Sequence, residues 1–162
     1  MRILGKERNF VKIIFNKLLP LLIVTTIATS AACGQNVIDS IAESHIRENV
    51  PDEKEFKTLL IRDLQSYFRG TLKNETLRAE YELLRDAPTQ TGIAYPKFYA
   101  WVKIFNVDGL IDEGAVRLAA IDKKYFEITD YLSKSDIEAR PATIERIFPR
   151  ALVESIKKKA GL

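Results

Sequence analysis

The stretch Leu77-Arg78-Ala79-Glu80-Tyr81-Glu82-Leu83 decides the fold, because here the apolar period of the chain changes from near four to two. Apolar Leu77, Ala79, Tyr81 and Leu83 alternate with Arg78, Glu80 and Glu82, as in a strand with one face buried. Beyond the loop RDAPTQTG (85–92), Tyr95 to Phe105 repeats the pattern, with Phe98, Ala100, Val102 and Ile104 on one face. Val116 to Ile121 and Tyr125 to Leu132 are two further short β-rich runs, joined by the polar turn Asp122-Lys123-Lys124. Four strands with short connections predict an antiparallel meander.

Upstream, the spacing is helical. Ile38, Ile41, Ala42 and His45 recur on one face between Asn36, a candidate N-cap, and Asn49. After Pro51, Asp52 and Glu55 have capping-box spacing, and Phe56, Leu59, Leu60, Leu64, Tyr67 and Phe68 form an apolar stripe. Gly70 stands where a glycine just past the helix end belongs. Downstream, Ser135 and Glu138 repeat the capping-box spacing, and Pro141 suits a first helical turn. Pro149 interrupts after Ile144, Ile147 and Phe148, and Leu152, Val153 and Ile156 continue an apolar face up to Gly161. The predicted class is α+β: two N-terminal helices, a four-stranded antiparallel sheet and C-terminal helices. The helix Asp52–Gly70 is expected to cross the sheet and bury Leu60, Leu64, Phe68, Phe98, Val102 and Ile128 together. From Asp52 to Leu132 this element order resembles the cystatin-like and nuclear-transport-factor-2-like folds of many exported bacterial domains, by order alone.

The N-terminus carries a different message. Arg2, Lys6, Arg8, Lys12 and Lys17 precede an uncharged run, Leu18 to Cys33, with only Glu7 against them. Positive charge before an apolar run keeps the amino end cytoplasmic while the run enters the bilayer. The run has 16 residues and a small, polar end, short of the roughly 20 apolar residues of a stable span. Residues 1–32 are therefore expected to be a signal peptide, with an uncleaved signal-anchor as the alternative, and 33–162 a single exported domain. Ser30-Ala31-Ala32-Cys33 resembles the lipobox of bacterial lipoproteins, with Ser30 where an apolar residue is usual. The resemblance implies that Cys33 is lipidated and becomes the mature N-terminus, and Gly34 after it resembles the pattern sorted to the outer membrane. Cys33 is the only cysteine, so in an oxidising compartment it has no internal disulfide partner. The alternative is an ordinary signal-peptidase cut after Ala32 or Gly34.

Removing the leader changes the charge. Of 25 basic and 22 acidic residues, five and one lie before Leu18, which leaves 20 against 21. That balance gives no reason to expect a nucleic-acid partner. Chemistry is equally sparse: no catalytic residues, metal site or cofactor are expected. His45 is the only histidine and lies on a predicted helix face, away from any nucleophile motif. One His and one Cys cannot furnish a usual zinc site. Asn106, Asp108, Gly109, Asp112 and Glu113 place oxygens in one segment but lack the spacing of a calcium loop, so a hairpin is expected there. Glu80 and Glu82 share a strand face and offer a carboxylate pair only in outline.

The strongest candidate surface is the second face of Tyr95–Phe105, where Lys97, Tyr99, Trp101 and Lys103 interleave. Such a face either forms a platform for a protein or glycan partner, or is covered by the C-terminal helices as a second core layer. The sequence thus points to a non-enzymatic cell-envelope protein of a bacterium, in the periplasm or at the outer membrane. It is held to the membrane by an N-terminal lipid or signal-anchor and has a binding or structural role. The alternatives are an accessory subunit of a secretion, conjugation or pilus assembly, and a secreted hydrolase.

Overall fold

The alternation between Leu77 and Leu132 builds four antiparallel strands in the spatial order β1-β2-β3-β4: β1 (Arg78–Leu83), β2 (Lys97–Asn106), β3 (Gly109–Ile121) and β4 (Tyr125–Ser133). The computed structural model describes residues 39–162, and its residues 42–162 form one compact unit. Two helices precede the sheet, α1 over 39–49 and α2 (Glu53–Leu72), and three short ones follow it, α3 (Lys134–Ala139), α4 (Thr143–Ile147) and α5 (Arg150–Ala160). The class is α+β, with helices before and after an antiparallel sheet. Residues 1–38, which include the expected signal peptide, Cys33 and Asn36, lie outside the described residues. Among the described residues no helix is long and apolar enough to cross a membrane.

Each face of the sheet carries its own core. On one face α2 lays Leu60, Leu64 and Phe68 across Leu77, Ala79, Phe98, Ala100, Val102, Ile104, Val116, Leu118, Ala120 and Phe126, with Ile128 packed at the margin. Phe56, Phe98 and Phe126 meet edge to face, at centroid separations of 5.0–5.9 Å. The predicted stripe and its partners are thus in contact. On the other face Tyr99, Trp101, Ala115 and Leu132 lie under Ile137, Ile144, Phe148, Leu152, Val153 and Ile156 from the three C-terminal helices.

Several local expectations are corrected. Helix α2 runs through Gly70 to Leu72 and ends at Lys73, whose left-handed backbone (φ 50°) lets its N–H and that of Asn74 close on the Arg69 carbonyl. A solvent-facing glycine costs a helix about 1 kcal/mol and does not end it. Asp52 caps α2 only through its carbonyl; its exposed side chain makes no cap hydrogen bond and lies 3.8 Å from Lys123. The capping box at α3 is Ser133–Asp136 rather than Ser135–Glu138: Ser133 Oγ accepts the Asp136 N–H at 3.1 Å and donates to Asp136 Oδ2 at 2.7 Å. Pro141 lies in the turn between α3 and α4, and Pro149 caps α5. Strand β3 begins at Gly109, seven residues before the apolar run at Val116. Asn106 Oδ1 accepts the N–H groups of Asp108 and Gly109 and so closes a two-residue turn, and a bulge at Ile111 follows.

The turn between β3 and β4 is held from outside. Asp122 and Lys123 both have positive φ (51° and 58°), a conformation that costs side-chain-bearing residues roughly 1–2 kcal/mol each. Buried Asn49, at the end of α1, accepts the Asp122 N–H with its side-chain oxygen and the Lys123 N–H with its carbonyl. From α2, Arg62 donates to the Lys124 carbonyl and Asp63 accepts the Phe126 N–H at 2.7 Å.

Candidate binding surface

Strand geometry fixes the directions of the four candidate residues. Successive side chains alternate across a sheet, so Lys97, Tyr99, Trp101 and Lys103 all leave β2 on the face opposite α2. The structure brings them onto one face but does not leave them open together. Tyr99 is 4 % exposed and Trp101 3 %, both beneath the C-terminal helices, with Phe148 tilted over the Tyr99 ring at 6.1 Å. Lys97 is half-buried, and Lys103 is exposed. The aromatic half of the face is therefore a second core layer and not an open platform. The physical reason is on the other elements: α3, α4 and α5 each carry apolar residues that cannot remain in water, and this sheet face is what they cover.

Burial forces polar partners on these aromatics. The Tyr99 hydroxyl lies 2.7 Å from Thr89 Oγ1 in the β1–β2 loop. Trp101 Nε1 donates to Glu113 Oε2 at 3.2 Å, and Lys134 Nζ reaches Glu113 Oε1 at 3.1 Å. Burial pushes the Glu113 carboxyl up, but the hydrogen bonds from Lys134 and Trp101 and the charges of Lys134 and Lys103 outweigh it and hold the group below the usual carboxylate range. Farther along, burial and then the adjacent Arg117 push the Lys97 ammonium below its ordinary range, partly offset by Glu127 and Asp130. Arg117 pairs with Asp130 at 2.6 Å and donates to the Ile147 carbonyl, which fastens α4 to the sheet. Thr89, Glu113 and Lys134 were not legible as partners in the sequence, since a buried indole demands an acceptor without saying which residue supplies it.

The other candidates are occupied in turn. Asn106 and Asp112 use their oxygens within the β2–β3 hairpin, Asp112 accepting the Glu113 N–H, while Glu113 serves Trp101 on β2 and Lys134 on α3. No cluster of metal-ligating side chains forms among the described residues. Glu82 is paired with Lys159 of α5 at 2.6 Å, while Glu80 stays exposed. His45 lies half-buried on α1, 3.5 Å through Nδ1 from the Asn49 amide.

With both faces of the sheet covered, its outer rims remain. Strands β1 and β4 form the two edges. Apolar side chains are also exposed at the β2–β3 tip, with Val107 83 % exposed, and in the β1–β2 loop, with Ile93 85 % exposed. No family model, curated protein or solved structure matches this chain.

Proposed function

We propose that this chain is a non-enzymatic cell-envelope protein, exported to the periplasm or outer membrane and tethered there by a lipid on Cys33, where it acts by binding another envelope component. The observation that carries the reading is the placement of Cys33. The chain's single thiol falls at the end of the N-terminal apolar run, behind five basic residues and directly after Ser30-Ala31-Ala32. Two acyl chains on one cysteine hold a domain at a bilayer, where a single chain binds only reversibly. A binding role agrees with a fold whose cores are closed on both faces and whose unused hydrogen-bonding groups lie at a strand edge. Cys33→Ala is expected to move the protein from the membrane fraction to the supernatant with its circular dichroism unchanged. Mass spectrometry of the mature N-terminus supplies the second reading. A Cys33→Ala protein that stays in the membrane, an unmodified Cys33, or a mature chain starting at Gln35 each overturns the tether.

A further inference from the structure

Among the described residues, the outer edge of β1 is an open hydrogen-bonding ladder. Leu84 N–H donates to the Tyr99 carbonyl at 2.9 Å, which makes Leu84 and Tyr99 a hydrogen-bonded pair of the antiparallel register. Such pairs alternate with non-bonded ones, so Arg78, Glu80 and Glu82 spend their backbone groups on β2. The N–H and C=O groups of Ala79, Tyr81 and Leu83 then point away from the sheet. No backbone or side-chain group among the described residues bonds to them.

The opposite edge is treated differently. Phe126 N–H, which points outward from β4, is taken by Asp63, and a bulge at Thr129 breaks the register of that strand. An occupied donor and a bulge are the usual means by which an edge is closed to further strands. The register of β1 runs unbroken over its six residues.

We propose that β1 accepts an extended segment of a partner protein as a fifth strand, one in which apolar and basic residues alternate. The backbone ladder supplies the affinity, and the two faces of β1 set the side-chain pattern. Toward α2, an added strand lies beside half-buried Tyr81 and Leu83 at the margin of the core, a place for apolar residues. Toward the C-terminal helices, it lies beside Glu80, exposed and in no ion pair among the described residues, and Glu82, 68 % exposed beside Lys159. Glu80 is open to a Lys or Arg of the incoming strand, and Glu82, already paired with Lys159 on one side, shares a second one beside it. A second copy of this chain is a poor occupant. In antiparallel β1–β1 pairing centred on Ala79, Arg78 faces Glu80 but Glu82 faces uncharged Thr76, and pairing centred on Glu80 sets Glu80 against Glu80, where like charges are destabilising. The inference extends the binding role proposed above, yet rests on strand geometry alone and does not need the lipid.

The experiment uses the full chain in detergent micelles with a synthetic peptide alternating valine and lysine, and a control alternating valine and glutamate. Amide exchange at Ala79, Tyr81 and Leu83 is expected to slow at least tenfold with the lysine peptide and to change little with the control. Glu80→Lys, on an exposed side chain, is expected to reverse the preference between the two peptides. Equal protection by both peptides, protection elsewhere than β1, or protection that grows with protein concentration in the absence of peptide overturns the proposal. The mass of Cys33 on the same sample reports the tether separately, so the two readings fail independently.

Discussion

At the scale of single residues, the structure turns some inconspicuous positions into critical ones. Gly114 faces Ser133 across the β3–β4 ladder, and a Cβ built on it runs into the Leu132 carbonyl oxygen and lies 2.8 Å from the Tyr131 ring. Backbone cannot yield as a side-chain tip does, so Gly114→Ala is expected to cost about 1–3 kcal/mol or more, read as a lowered urea midpoint. A midpoint unchanged from wild type means that the two strands are farther apart than described. Trp101→Ala belongs to the same scale. Its burial under the C-terminal helices predicts a stability loss of about 3–5 kcal/mol. A variant that keeps its melting temperature and loses only binding returns Trp101 to the surface. Asn49→Ala removes the acceptor of the Asp122 N–H and is expected to cost roughly 1–3 kcal/mol. The Gly114 and Asn49 effects were not legible in the sequence, since each depends on a contact made far along the chain; for Trp101 the sequence already offered burial beneath the C-terminal helices as one of two readings.

At the scale of elements, periodicity reported well and ends reported poorly. The α2 stripe and the alternation in β1 and β2 place the first core correctly, because one buried face imposes one period. The ends were misread where a neighbouring residue supplied the cap, as Ser133 with Asp136 did in place of Ser135 with Glu138, and where α2 ran two residues past Gly70 to Leu72. The early part of β3 went unread because Asp112 and Glu113 interrupt its apolar pattern. Glu113 nevertheless joins three elements, through Trp101 on β2 and Lys134 on α3. Its folded carboxyl titrates below the ordinary value of 4.5, so its contribution is complete above that value and is lost as pH falls toward the folded one. Glu113→Gln keeps an acceptor for the indole and removes the charge. The stability gap between wild type and variant is expected to be widest near neutrality and to close on acidification below pH 4.5; a gap constant with pH removes the ion pair from the account.

At the scale of the whole molecule, the sheet belongs to two layers at once. The sequence left open whether the Tyr99–Trp101 face was a platform or a floor, because alternation on β2 is apolar or aromatic on both sides and no local pattern says what lies above. The answer came from the C-terminal helices, whose apolar residues had to be placed somewhere. Stopping the chain after Ser133 strips that layer while leaving the α2 core in place. The truncated protein is expected to bind a hydrophobic dye and to self-associate, as an exposed aromatic sheet face does. A monomeric truncation that leaves the dye dark means the second layer is not needed to keep that face from water.

That arrangement also sets a schedule. Synthesis and any threading through a membrane pore proceed from the N-terminus, and consecutive strands of the meander find their neighbours as they emerge. The cover for Tyr99 and Trp101 comes from the last 29 residues. At ~5–20 residues per second, the aromatic face waits about 1.5–6 s after β4 is complete before α5 arrives to close it. During that interval the nascent chain shows a helper protein, or another nascent copy, a surface that the finished molecule never displays.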